Sequence, residues 1–159
     1  MNGALVTGGC QCGAVRYHIG WLGRSAVCHC RMCQKATGNV FGIFITARDV
    51  TWTRGEPARF RSSNKAERLF CAACGTPIAA QEASGDYEFA VGTFDDPSRG
   101  KPSIEVHLES KSPFFHELTQ LPPAPAHDQS TAADHDDGLI SCQHPDHDTE
   151  EWSPAERSK

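Results

Sequence analysis

Short runs of alternating apolar and polar residues dominate the chain. Between Ala14 and Ile19, Val15, Tyr17 and Ile19 fall on one face and Arg16 and His18 on the other, the period of a strand with one buried face. Comparable segments recur at 40–46, 50–53, 59–61, 68–71, 78–81, 87–91 and 104–108. Turn chemistry separates them, as in Arg54-Gly55-Glu56-Pro57, Ser84-Gly85-Asp86 and Asp95-Asp96-Pro97. Only residues 31–38 carry a helical pattern, closed by Gly38 where a C-terminal cap belongs. The pattern predicts an all-β domain over 1–121 with one short helical turn. Past Leu121 the run Pro122-Pro123-Ala124-Pro125 reads as a stiff linker, and 122–159 as an acidic, disordered tail in which Trp152 is either exposed or docked on the domain.

Composition changes this picture in two respects. With aromatic residues at 8% and a mean hydropathy of −0.46, the apolar material is thin for one domain, so something else must help hold the core. Nine acidic residues against two basic ones from Pro122 onward carry −7 of a total of −5, which leaves +2 on the first 121 residues and no basic face for nucleic acid. The longest apolar run, around Val40 to Ile45, is broken by Gly42 and falls far short of the roughly 20 residues that span a bilayer. The start of the chain shows no basic stretch followed by an apolar one, so a reducing cytoplasm is the expected setting for a soluble protein, with neither nucleic acid nor membrane as partner.

In that setting seven of the eight cysteines, all but Cys142, read as metal ligands rather than disulfides. Cys10 and Cys12, two apart on an extended segment, leave the same face. Cys71-Ala72-Ala73-Cys74 has the spacing of a metal knuckle, and Gly75 supplies positive φ where the chain turns back. Together they make a four-cysteine structural zinc site. Zinc of this kind contributes about 10–16 kcal/mol in small peptides, as much as the net stability of a whole domain. Cys28, Cys30 and Cys33 form a second set without an obvious local fourth ligand, which leaves a position for substrate. A second closed site completed by His29 or His18 is the alternative, although His29, between two ligands, is expected to point away. Three thiolates keep a metal electron-rich and suit it to activating an incoming thiol. Arg31, Lys35 and Arg68 are candidate cations for an anionic thiol, and Cys142-Gln143-His144-Pro145-Asp146-His147 has spacing that could hold a further metal.

Three stretches carry a more specific signal. Gly8-Gly9-Cys10-Gln11-Cys12-Gly13-Ala14-Val15-Arg16-Tyr17, Cys28-His29-Cys30-Arg31-Met32-Cys33-Gln34 with Thr37-Gly38, and Phe70-Cys71-Ala72-Ala73-Cys74-Gly75-Thr76 resemble the glutathione-dependent formaldehyde-activating enzyme family, which also contains centromere protein V. The resemblance covers residues 8 to about 118. It implies a β-tent of stacked antiparallel sheets, a structural zinc at Cys10, Cys12, Cys71 and Cys74, and a catalytic zinc at Cys28, Cys30 and Cys33. It also implies carbon–sulfur lyase chemistry on a small-thiol adduct such as S-hydroxymethylglutathione. His107 matches a family histidine, whereas Phe114 stands where the family has tryptophan, keeping an aromatic plug without the indole N–H. Formaldehyde is therefore not assigned as the electrophile. The alternative from another class is a non-enzymatic zinc module that binds a protein partner.

Overall fold

Eight strands hydrogen-bond into one sheet in the order β1-β2-β3-β7-β6-β5-β4, with β8 on the outer side of β2. The computed structural model describes residues 5–125 and 138–153. The strands are β1 (Val6–Gly9), β2 (Arg16–Cys28), β3 (Gly42–Arg54), β4 (Ala58–Arg61), β5 (Ala66–Phe70), β6 (Pro77–Glu82), β7 (Tyr87–Ala90) and β8 (Ile104–Val106). Neighbours are antiparallel, except that β8 runs parallel to the end of β2 at Ala26–Cys28. The only α-helix among the described residues, α1 (Arg31–Thr37), ends as the sequence predicts: Gly38 is left-handed at φ 65° and donates its N–H to the Gln34 carbonyl.

Two long strands replace several short ones. The segments at 40–46 and 50–53 are a single strand, β3, and β2 continues well past the predicted 14–19, through Gly20 and Gly23 to Cys28. The register between β2 and β3 slips at Leu22/Ser25 and again at Arg16/Tyr17, so the glycine-rich stretch is a bulge that bends the pair rather than a turn that ends it. β1 also goes unread in the sequence, because two of its four residues are glycine. Gly8 is required there: a Cβ would lie 2.4 Å from both the Thr93 carbonyl and the Tyr17 hydroxyl.

The core lies on one face. Val15, Tyr17, Ile19, Ile45, Leu69, Ile78 and Phe89 are buried together with Cys10 and Cys71. Tyr17 is fully enclosed, packs edge-on to Trp52 and at 4.5 Å to Phe89, and its hydroxyl donates to the Thr93 carbonyl at 2.9 Å. Phe44 and Ile45, adjacent on β3, point to opposite faces: Ile45 joins this core, and Phe44 joins a smaller cluster with Cys28 and Cys33.

Arg16 departs from simple alternation. It is buried on the polar side of β2 because Asp95 takes its guanidinium through two bonds of 2.7 and 2.6 Å, and Thr7 donates to the same carboxylate at 2.5 Å. Asp148 adds a third contact at 2.8 Å and also reaches His18 at 2.7 Å. That contact comes from the segment predicted to be disordered. Residues 138–153 instead lie on the domain: His144 is buried, its backbone N–H donates to the Gln11 carbonyl at 2.8 Å, and the Trp152 indole N–H donates to the Cys12 carbonyl at 2.6 Å. Trp152 is thus docked, with its ring 4.6 Å from that of His144. The polar character of the tail matches the polar surface it covers, where Arg16 and Arg54 await acceptors. The part of the tail at 126–137 lies outside the described residues.

Burial raises the Asp95 carboxyl, but the Arg16 and Thr7 donors outweigh it and hold the group below its ordinary range. A carboxylate depressed on folding contributes stability at neutral pH that is lost as pH falls through its folded value. Asp95→Asn should cost on the order of 3 kcal/mol at pH 7 by leaving Arg16 under-paired, and should flatten the acid limb of stability. Urea melts from neutral to acid pH measure both, and superposable curves would refute the pairing. Trp152→Ala should lose about 1–2 kcal/mol, a drop of several degrees in melting temperature, whereas an unchanged melt would mean that the tail stands free.

Candidate metal centres and adjoining cleft

The first cluster joins two loops that are distant in the sheet. Cys10 and Cys12 follow β1, and Cys71 and Cys74 lie between β5 and β6, yet the four sulfurs fall within 4.8 Å of one another. Cys10 and Cys12 are 3.6 Å apart and Cys12 and Cys71 3.8 Å. Both turns are closed by backbone bonds, Gly13 N–H to the Cys10 carbonyl at 3.0 Å and Gly75 N–H to the Cys71 carbonyl at 2.9 Å. Gly75 has φ +77°, which the knuckle needs and a side chain would resist.

Donor chemistry fits a metal. Burial, with neighbouring sulfurs adding to it, pushes the Cys10 thiol well above its usual range, and burial also raises Cys12. Burial opposes ionisation of Cys74 as well, but the Thr76 hydroxyl, 3.1 Å away, and nearby backbone N–H groups bring it down to about 6. Four crowded sulfurs in which one ionises readily and others resist charge are what a divalent cation would stabilise as thiolates.

The second cluster forms where β2 runs into α1. Cys28 ends β2, Cys30 caps the helix by accepting the Cys33 N–H at 3.3 Å, and Cys33 is buried in its first turn. Their sulfurs also lie within 4.8 Å of one another. Burial raises Cys28 to about 12 and raises Cys33 as well, although the Arg68 guanidinium acts against it. On Cys30, burial is outweighed by the helix N–H donors, so its thiol is lowered. Arg68 Nη2 donates to Cys33 Sγ at 3.5 Å and its guanidinium lies 5.9 Å from the Phe44 ring. A cation there offsets the negative charge that three thiolates impose.

Neither histidine named as a fourth ligand joins this trio. His29 is fully buried on the far side, edge-on to Phe115 at 4.7 Å, with its ring 3.5 Å from Glu105, and Gln34 fixes that segment by donating to the His29 carbonyl at 2.6 Å. His18 is held by Asp148. Among the described residues no other group of His, Cys, Asp and Glu has metal-binding geometry, so the tail motif does not assemble. Both ring nitrogens of His144 are engaged, Nδ1 with the Pro145 carbonyl at 2.6 Å and Nε2 with Thr149 at 3.0 Å.

The trio opens onto a cleft of about 730 Å³ whose walls include Arg24, Met32, Phe44, Arg68, Glu88 and His107. Of the cations singled out in the sequence, Arg68 reaches the cleft; Arg31 bonds its own helix neighbour Gln34, and Lys35 faces a separate apolar depression with Phe60 and Phe70. His107 is left-handed at φ 61° just past β8 rather than inside a strand, and pairs with Glu109 at 3.1 Å. Phe114 is 45% exposed and makes no plug; Phe115, next to it, packs on His29 and Phe41. Glu88 and Thr46 escape sequence reading, since strand alternation marks them only as outward polar positions.

These features define a mostly antiparallel β protein with two cysteine clusters able to hold metal, one built into the core and one at a cleft. The chain belongs to the glutathione-dependent formaldehyde-activating enzyme family, whose profile matches residues 5–110. Among solved structures, a crystal structure of a Rhodobacter sphaeroides protein determined as a structural-genomics target is similar at TM-score 0.52 and 25% identity, over 63% of this chain and 99% of that one. No curated protein matches.

The clusters should be separable. Cys71→Ser should abolish the cooperative melt, because the lost metal contributes about as much as the net stability of a domain. Cys30→Ser should keep the melt and lose only one equivalent of metal. Circular dichroism with elemental analysis decides, and equal effects of the two changes would contradict the division.

Proposed function

We propose that the protein is a zinc-dependent carbon–sulfur lyase that makes or breaks the bond between a small thiol such as glutathione and the carbon of an aldehyde. The observation that carries this reading is the three-sulfur cluster at the head of a cleft, with no protein side chain as a fourth donor among the described residues. Zinc at Cys28, Cys30 and Cys33 would supply a Lewis-acidic position that lowers the pKa of an incoming thiol, while zinc at Cys10, Cys12, Cys71 and Cys74 would be structural.

The residues of the chain prepare that site in three ways. Gln34, bonded to the carbonyls of His29 and Ser110, holds the turn from β2 into α1 so that the three sulfurs converge. Arg68 lowers the electrostatic cost of bringing a further thiolate beside three others. Phe44, packed against Cys28 and Cys33, gives the cluster an apolar floor that strengthens these interactions. In the forward direction the thiol gives its proton to solvent, the thiolate pair forms the C–S bond at the aldehyde carbon, the carbonyl π pair moves onto oxygen, and that oxygen takes a proton back from solvent; cleavage is the reverse.

Cobalt-substituted protein provides the test. Glutathione should perturb the absorption of one of two cobalt ions, an effect lost in Cys30→Ser, and the wild-type zinc protein should accelerate exchange between glutathione and S-hydroxymethylglutathione, followed by NMR, by 100-fold or more. An unaltered cobalt spectrum together with uncatalysed exchange would leave the partner-binding module as the better account.

A further inference from the structure

The floor of the cleft carries an arginine and a glutamate that, among the described residues, form no ion pair with an opposite carboxylate or ammonium group. Arg68 on β5 is the cross-strand partner of Ala80 on β6, Ala80 of Glu88 on β7, and Glu88 of Thr46 on β3. Direct partners share a face, so the four side chains stand in one row. At about 4.8 Å per strand, the Arg68 and Glu88 backbones are roughly 10 Å apart, with only a methyl group between them.

Neither end of this row has an ionic partner among the described residues. Arg68 contacts Cys33 Sγ, and its buried Nε has no acceptor. The Glu88 carboxylate accepts one bond, from the Thr46 hydroxyl at 2.8 Å. Burial raises the Glu88 pKa, and Glu82 and Asp86 add to the effect; the Thr46 hydroxyl and the exposed Arg24 act against it without cancelling it. A half-buried carboxylate so placed lacks a cation, and a half-buried guanidinium beside sulfur has donors to spare.

We infer that this row is the receptor for the far end of the thiol, with Glu88 binding a substrate ammonium while Arg68 holds a carboxylate close to the sulfur. The inference rests on the lyase reading and adds the specificity determinant. A backbone spacing of roughly 10 Å between Arg68 and Glu88 suits a short peptide thiol, in which the ammonium lies several bonds further from the sulfur than it does in free cysteine. A volume of about 730 Å³ accommodates a molecule of that size. Thr46 is the positioning residue: its hydroxyl fixes the carboxylate toward the cleft.

Cobalt-loaded full-length protein, titrated with glutathione, N-acetylglutathione and 3-mercaptopropionate and read by the cobalt spectrum, tests the assignment. Glutathione should bind wild type about tenfold or more tighter than N-acetylglutathione, the scale of a hydrogen bond to a charged group. Glu88→Gln, which keeps shape and the Thr46 contact, should erase that preference while 3-mercaptopropionate binds as before. Ala80→Leu, which fills the gap between the charges, should weaken glutathione and spare 3-mercaptopropionate. If glutathione binds Glu88→Gln as it binds wild type, or wild type does not distinguish the acetylated thiol, the inference is overturned and the lyase reading stands. If no thiol alters the wild-type spectrum, both fall together.

Discussion

The convergence of four sulfurs from opposite ends of the sheet is the constraint on which the rest of the structure depends. Cys10 and Cys12 leave β1, the first strand in the sheet order, whereas Cys71 and Cys74 sit between β5 and β6, near its other end. They can meet only if the sheet curls, and the bulges between β2 and β3 let two 13-residue strands bend far enough. The curl encloses Tyr17, Leu69, Ile78 and Phe89. In a chain with few aromatics this small core would be marginal alone, and a metal held by the four sulfurs across the fold would answer that deficit.

The same sheet separates the two cysteine clusters by its pleat. Ile45 faces the core that contains Cys10 and Cys71, and Phe44, one residue earlier, faces Cys28 and Cys33. The cleft therefore lies on a surface whose opposite side is packed solid, which holds the three sulfurs in place. On that outer face the alternation that buries Phe89 turns Glu88 toward the cleft, so core and cleft lining are consequences of one period.

A second tie runs through Arg16. Its guanidinium joins β2 to Asp95 and to Asp148 of the C-terminal segment, which in turn covers the Cys10–Gly13 turn through His144 and Trp152. Gly13 leaves room for both rings, since a Cβ there would come within 2.3 Å of His144. The acidic tail thus shields the backbone of the core cysteine loop while leaving the cleft at Cys28, Cys30 and Cys33 open.

Local chemistry was legible without the fold. Period-two alternation located most strands, the cysteine spacings with Gly75 and Gly38 located both clusters and the helix end, and the three motifs located the family, because each of these signals lies within a few consecutive residues. Tertiary structure alone decided the rest. The alternation at 14–19 does not reveal that β2 runs on to Cys28, because only the pairing with β3 makes its glycine-containing stretch a bulge. The tail looked unattached because the surface it matches is more than a hundred residues away in sequence. Arg68, Ala80, Glu88 and Thr46 form a row only through strand pairing, and no single sequence lists which strands will be neighbours, since pairing is selected by burial of the whole sheet rather than by any one segment.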